Sequence, residues 1–313
     1  MTGFQSPLTP FLAAQRFVVL DGGLATELER RGHNLNDPLW SARVLVEQPD
    51  AIRELHLDYL RAGADIVVSA SYQVSFEGLA ARNISAPAAE AVFIRSVSLA
   101  REAREQFQSE SDGQRRLAPL VAASIGPYGA TLGDGSEYTG VYRVSDRQLR
   151  AFHAARLDVL AAARPDLFAC ETIPSRREAE VLADLLEERA TVPAWISFAG
   201  KDATRIADGT PFAAVVASLG QAGPVVAIGL NCTAPSLIAP LLQSAGNSGD
   251  KPFVVYPNAG SVYDAKTKLW SGEESAESIP RLVDRWYDLG ARVIGGCCRT
   301  TPTTVGEIRE RLS

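Results

Sequence analysis

Histidine and cysteine are both scarce in this 313-residue chain, with three of the first and four of the second. His33, His56 and His153 offer no HExxH zinc helix, and none of them closes an apolar run where a triad base would sit, which argues against histidine-based hydrolysis. An excess of basic residues is also lacking: 31 Lys and Arg stand against 37 Asp and Glu, a net charge of −6, so no basic stripe is available for a nucleic-acid backbone. No stretch reaches the about 18 uncharged apolar residues of a membrane span. The N-terminus has no basic region followed by a long apolar one, and Pro7 and Pro10 interrupt it, so no secretion signal is visible. These absences place the chain in the cytoplasm, off the membrane, where thiols stay reduced and grouped cysteines point to metal or catalysis more than to disulfides.

Apolar residues are plentiful, at 46% against 22% charged, as in a soluble globular protein with a sizeable core. Short runs rich in Val, Ile, Leu and Phe recur eight times, each followed by a segment with helical periodicity. They are RFVVLDGG from Arg16, ADIVVSAS from Ala64, APLVAASIGP from Ala118, DLFACET from Asp166, VPAWISF from Val192, PVVAIGLNC from Pro224, PFVVYPN from Pro252 and ARVIGGCC from Ala291. Amphipathic segments such as DAIRELHLDYLRAG and DRQLRAFHAARLDVLAAA lie between them, with Ser145 and Ser175 placed as N-caps and Gly63 and Gly290 as helix stops. No GxGxxG opens the first unit and no division into halves is apparent, so the expected fold is α/β, a single-domain (β/α)8 TIM-type barrel over residues 1–313.

On a barrel of this kind, function gathers where the strands end. Asp21, Gly22 and Gly23 end the first run, Tyr72 follows the second, Glu171 ends the fourth, Cys232 the sixth, and Cys297 and Cys298 the eighth. A long polar, glycine-rich loop, GPYGATLGDGSEYTGVY, follows the third strand and is a candidate lid. The segment SESDGQRR from Ser109 reads as a solvated connection.

Adjacent cysteines need an explanation, because neighbours on a strand face opposite ways and a disulfide between them would be strained. Gly295 and Gly296, lacking Cβ atoms, are expected to let the backbone leave the strand so that both sulfurs turn to one point. Cys232 can meet them, since the sixth and eighth strands flank only the seventh. Three thiolates with no evident fourth ligand describe an open zinc site suited to thiol activation. The competing reading is that all four cysteines are small buried apolar groups; it is preferred for Cys170 alone.

With these residues in hand, the chain resembles the homocysteine S-methyltransferase family. The likeness rests on DGGLATELERRG from Asp21, DPLWSARVLVEQP from Asp37, HLDYLRAGADIVVSASYQ from His56, IGPYGATLGDGSEYTGVY from Ile125, CETIP from Cys170, GLNC from Gly229 and GGCCRTTP from Gly295. It is strongest toward the stand-alone bacterial and plant enzymes that use S-methylmethionine. The resemblance implies a Zn2+-dependent barrel in which Cys232, Cys297 and Cys298 hold the metal, Asp21 and Glu171 hold the ammonium of homocysteine, and the amides of Gly22 and Gly23 hold its carboxylate. It also implies that Trp40 and Tyr72 face a cationic sulfonium donor, for which Tyr128, Tyr138 and Tyr142 are further candidates. Betaine-using relatives carry a tyrosine where Thr172 stands, which favours a sulfonium over betaine. The implied reaction is in-line displacement: homocysteine thiolate attacks the S-methyl carbon and methionine forms. S-adenosylmethionine as donor, selenocysteine or another thiol as acceptor, and a noncatalytic barrel braced by zinc remain alternatives. Partners are small molecules only, and the sequence does not set the oligomeric state, with which a monomer is compatible.

Overall fold

The computed structural model describes residues 5–35, 41–110, 116–246, 249–260, 262–264, 269–271 and 279–313, apart from the side chains of 41, 262–264 and 269–271. Ten strands follow one another along these residues: β1 Val18–Val19, β2 Ile66–Val68, β3 Leu120–Ile125, β4 Leu167–Ile173, β5 Ala194–Phe198, β6 Val225–Asn231, β7 Phe253–Tyr256, β8 Val262–Asp264, β9 Leu269–Ser271 and β10 Ala291–Ile294. Eight of them form one parallel sheet in the order β1-β10-β7-β6-β5-β4-β3-β2, and a parallel bridge between Leu20 and Ile66 joins its two edges. The result is the (β/α)8 barrel expected from the eight apolar runs. β8 and β9 pair only with each other, as an antiparallel ribbon inserted between β7 and the last barrel strand.

Helix boundaries follow local chemistry. Ser145 caps the helix Asp146–Ala162 in a capping box with Gln148, and the Ser175 hydroxyl accepts from the Glu178 amide at the start of Arg176–Arg189. Gly63 and Gly290 end their helices with φ of 121° and 98°, a conformation a side chain would resist. The helix Thr9–Gln15 is absent from the sequence expectation. It is only two turns long and its Pro10 reads as an interruption, yet a proline in the first turn gives up no helical hydrogen bond.

Two apolar layers hold the barrel. One lies between strands and helices, and the other fills the interior with Val18, Leu20, Ala169, Trp195, Val254 and Val293. Leu8 and Phe11 from the first helix join the interior layer and close the N-terminal end of the strands. At that same end Asp65 is buried but fully engaged, accepting from Gln15 at 2.7 Å and the Val19 amide at 2.9 Å and pairing with Arg116 and Arg309. The opposite end, where β4 and β6 finish, is left for polar side chains.

β6 and β7 approach too closely at Gly229 for any side chain, since a Cβ there would fall 1.7 Å from the Val254 carbonyl oxygen. Gly229→Ala is therefore expected to destabilise the fold by roughly 3 kcal/mol or more, the upper end of overpacking costs. Urea unfolding checks this, and a midpoint equal to wild type would contradict it.

Candidate metal and substrate site

β10 stops at Ile294, and the backbone then turns across the barrel mouth. The Gly295 amide donates to Val255, the Gly296 amide to Asp21 and the Cys297 amide to Pro257, so the segment is stitched alternately to both neighbouring strand ends. The role expected of the two glycines is corrected here: neither has a positive φ. They are needed because the chain runs so close to its neighbours that a Cβ would lie 2.5 Å from Leu20 Cβ at Gly295 and 2.2 Å from Thr300 Oγ1 at Gly296. What turns the second sulfur is a β-turn over residues 297–300. The Thr300 amide closes it onto the Cys297 carbonyl at 3.1 Å, and Arg299 occupies it with φ 64°.

Cys232 follows β6 with φ 47°, its amide donating to the Tyr256 carbonyl and its carbonyl accepting from the Asn258 side chain. Thus the three sulfurs predicted to meet do so: those of Cys232, Cys297 and Cys298 all lie within 4.8 Å of one another, and Cys232 and Cys298 are 3.3 Å apart. Among the described residues this is the one group of three or more potential metal ligands so gathered. Hydrogen bonds from Cys297 and Cys298 hold the Cys232 thiol well below its ordinary pKa, and the same shared protons push the other two up. Three thiols that share protons in this way, with the pKa of one lowered by the other two, form a donor set suited to a cation. Cys170 lies apart, fully buried in the apolar layer, its pKa pushed up to about 12 by burial. It has the packing role expected of it.

Two carboxyls share the mouth. Asp21 accepts from the Val68 amide at 2.8 Å, and burial, reinforced by the charge of Glu171, pushes its pKa well up. Burial raises Glu171 to about 7, against hydroxyl hydrogen bonds from Ser124 and Tyr256. Two acids destabilised as anions by burial and by each other would be relieved by an ammonium group between them. Gly22 and Gly23 follow Asp21 as expected, but they are not equivalent. The Gly23 amide already donates to Thr300 Oγ1 at 3.1 Å, whereas the Gly22 amide makes none of the described hydrogen bonds.

Tyr72 is half-buried beside Gly126, where a Cβ would meet its ring at 2.8 Å, and its hydroxyl bonds to Thr172. Trp40 and most of the 109–116 segment lie outside the described residues. The third-strand loop folds over the mouth in two short turns, Tyr128–Thr131 and Ser136–Tyr138, and brings the Tyr138 hydroxyl 3.6 Å from the Cys232 sulfur. Tyr128 and Tyr142 go elsewhere. Both bond to the buried Glu178, Tyr128 through its amide at 2.7 Å and Tyr142 through its hydroxyl, and His153 Nε2 joins the same carboxylate at 2.7 Å.

Several supporting residues escaped the sequence reading. A hydrogen-bonded belt runs from Thr172 through Asn231 and Ser197 to Tyr256 and Glu171, tying the ends of β4, β5, β6 and β7 together. Arg156, fully buried, donates to the carbonyls of Gly126 at 2.6 Å and Tyr72 at 2.9 Å and so fixes the loops after β2 and β3 to each other. Its one sequence signal is a guanidinium inside the apolar stretch AARLDVLAAA. Glu137 is the third, buried between Ser136 and Tyr138. Among the described residues, three of the seven non-glycine residues with positive φ, Thr172, Cys232 and Arg299, belong to this mouth, which is where backbone strain is tolerated when it places a working group.

Comparison with other proteins identifies the family. The profile of the homocysteine S-methyltransferase family matches residues 18–312. The homocysteine S-methyltransferase YbgG of Bacillus subtilis is 47% identical over 304 residues, 97% of this chain and 96% of its own. The selenocysteine Se-methyltransferase of Brassica oleracea var. italica is 43% identical over 307 residues, covering 95% of this chain and 89% of its own. Among solved structures, the metallated form of the homocysteine methyltransferase MmuM from Escherichia coli superposes with a TM-score of 0.88 at 44% identity, covering 98% of this chain and all of that one.

Glu178 yields a pH dependence of stability. Burial raises its folded pKa to about 8 from an ordinary 4.5, so folding takes up a proton between those values, and its contribution is complete below about 4.5 and lost as pH rises through about 8. Relative to Glu178→Gln, wild type should lose stability from pH 5 to 8.5, with a slope of at most about 1.4 kcal/mol per pH unit. Urea midpoints across that range read the difference, and parallel curves would contradict it.

Proposed function

Because the chain belongs to the homocysteine S-methyltransferase family, we propose that it moves a methyl group from the sulfonium of S-methylmethionine to homocysteine, forming methionine, with zinc held by Cys232, Cys297 and Cys298. The observation that carries this reading is the gathering of three sulfurs at the barrel mouth beside two buried acids. The donor set fits zinc: three soft thiolates suit it better than magnesium or calcium, and three protein ligands leave room for a fourth from substrate. When bound, the metal would keep the homocysteine sulfur ionised and electron-rich at neutral pH.

The chain's own residues do the rest. Asp21 and Glu171 take the ammonium of homocysteine, and the Gly22 amide, unlike the committed amide of Gly23, receives its carboxylate. That anchoring sets the acceptor sulfur at the cysteine cluster. Tyr72, and Trp40 by its place in the sequence, offer aromatic faces to the sulfonium. The acceptor thiolate attacks the methyl carbon as the C–S bond opposite breaks, its electron pair stays on the leaving sulfur, and a neutral thioether departs. No general base acts in the transfer. With S-methylmethionine both products are methionine.

On this reading the protein is a one-domain cytoplasmic enzyme of small molecules. Among the described residues no helix is long and apolar enough to cross a membrane. A second reading, a selenol acceptor such as selenocysteine, is favoured by the likeness to the Brassica selenocysteine enzyme. S-adenosylmethionine is the competing donor, since it carries the same sulfonium chemistry.

Purified zinc-loaded protein given homocysteine and each donor should form methionine, fastest from S-methylmethionine by kcat/KM. Cys298→Ala should lose its metal and more than about 100-fold of that activity, the upper end for loss of groups that merely orient ligands, while far-UV circular dichroism keeps the barrel signature. Full methyl transfer in metal-free Cys298→Ala would contradict the assignment.

A further inference from the structure

Glu137 is a buried acid of the mouth for which neither the homocysteine contacts nor the metal cluster has a use. It sits in the turn Ser136–Tyr138 of the third-strand loop and is 7% exposed. Its Oε2 is sealed from water and has no hydrogen-bond partner. Leaving a carboxylate oxygen in that condition is costly, and such groups in folded proteins need a reason. Its surroundings supply one. The next residue, Tyr138, points its hydroxyl at the Cys232 sulfur, and the charge of Glu137 acts on Tyr72, Tyr138 and Cys232. Gly129 packs directly on its backbone, where a Cβ would lie 2.7 Å from the Glu137 amide nitrogen, so the loop fixes the main chain that carries this side chain.

We propose that Glu137 determines donor specificity by receiving the α-ammonium group of the sulfonium donor. The inference rests on the sulfonium reading above and extends it to the far end of the donor. The unused oxygen of a carboxylate, buried on the side of the mouth where the aromatic residues lie, calls for a cation. The donor carries two, and chemistry separates them. A carboxylate against the sulfonium would stabilise a charge that methyl transfer destroys, and would slow the reaction. The α-ammonium keeps its charge throughout, so a contact there fixes the donor's direction without raising the barrier. Homocysteine's own ammonium has Asp21, just past β1, and Glu171 on β4, close enough for the charge of one to raise the pKa of the other. Burial raises the Glu137 pKa to about 7, and a neighbouring ammonium would draw it back to the charged form.

The test compares S-methylmethionine with its des-amino analogue, dimethylsulfoniobutanoate, in zinc-loaded wild type, Glu137→Gln and Glu137→Asp. Wild type should prefer S-methylmethionine in kcat/KM by on the order of 10- to 100-fold, the usual worth of a hydrogen bond to a charged group. Glu137→Gln should bring that ratio toward one, mainly through the KM of S-methylmethionine, and Glu137→Asp, which draws the charge back, should fall between. The ratio is insensitive to the fraction of folded enzyme. A preference that survives Glu137→Gln, or a wild type with no preference, overturns the assignment. Transfer from neither sulfonium in wild type overturns the donor reading, and this inference with it.

Discussion

Three sulfurs from two distant parts of the chain must reach one point, and that constraint governs the whole mouth of the barrel. It is met because β6 and β10 flank β7, so a residue just past each strand end can lean toward the other. The approach bends the backbone where it costs most. Cys232 and Arg299 carry positive φ, while Gly295 and Gly296 survive only as glycines because neighbouring atoms leave them no Cβ. The β7 backbone serves as the common strut, receiving the Cys232 amide at Tyr256 and the Gly295 amide at Val255. A barrel with a different strand order at this edge would separate the sulfurs whatever their identity.

The mouth is rich in buried acids that have hydrogen-bond donors but, among the described residues, no ion pair. Asp21, Glu171 and Glu137 all have raised pKa values with burial as the leading cause, and a cluster of thiols lies among them. Anionic groups gathered in this way oppose one another until cations arrive. A metal and two ammonium groups would neutralise the set, and a sulfonium against the aromatic side would add a further positive charge. By contrast, Asp65 at the other end of the barrel is paired with two arginines and presents no such opening. The two ends use buried carboxylates for opposite purposes.

Much of this was legible in the sequence because it is local. Each barrel strand announces itself as an apolar run, several helices by their period and a cap or stop residue, and the clustered cysteines by position at the ends of runs. Asp21 and Glu171 were legible for the same reason. What stayed hidden depends on distant partners. Nothing in the string GDGSEYTG says that Glu137 will be buried, because its burial is made by a loop folding back over strand ends. Tyr128 and Tyr142 look like Tyr138 in sequence, and only the fold shows the Tyr128 ring packed on Tyr142 and Phe152 and the Tyr142 hydroxyl bonded to Glu178 on a later helix, while the Tyr138 hydroxyl meets Cys232. Arg156 reads as an exposed charge on a helix until two loop carbonyls are found against it. The glycine pair was correctly tied to the sulfurs but through conformational freedom rather than through close approach, a distinction that needs the neighbouring strand.

The central claim is that Cys232, Cys297 and Cys298 hold one zinc ion and leave a place for the acceptor's sulfur. X-ray absorption at the zinc edge, on the loaded protein with and without homocysteine, addresses it directly. The account predicts three protein sulfurs around the metal before the thiol is added and a fourth sulfur afterward. An unchanged sulfur count on saturation with homocysteine would contradict it.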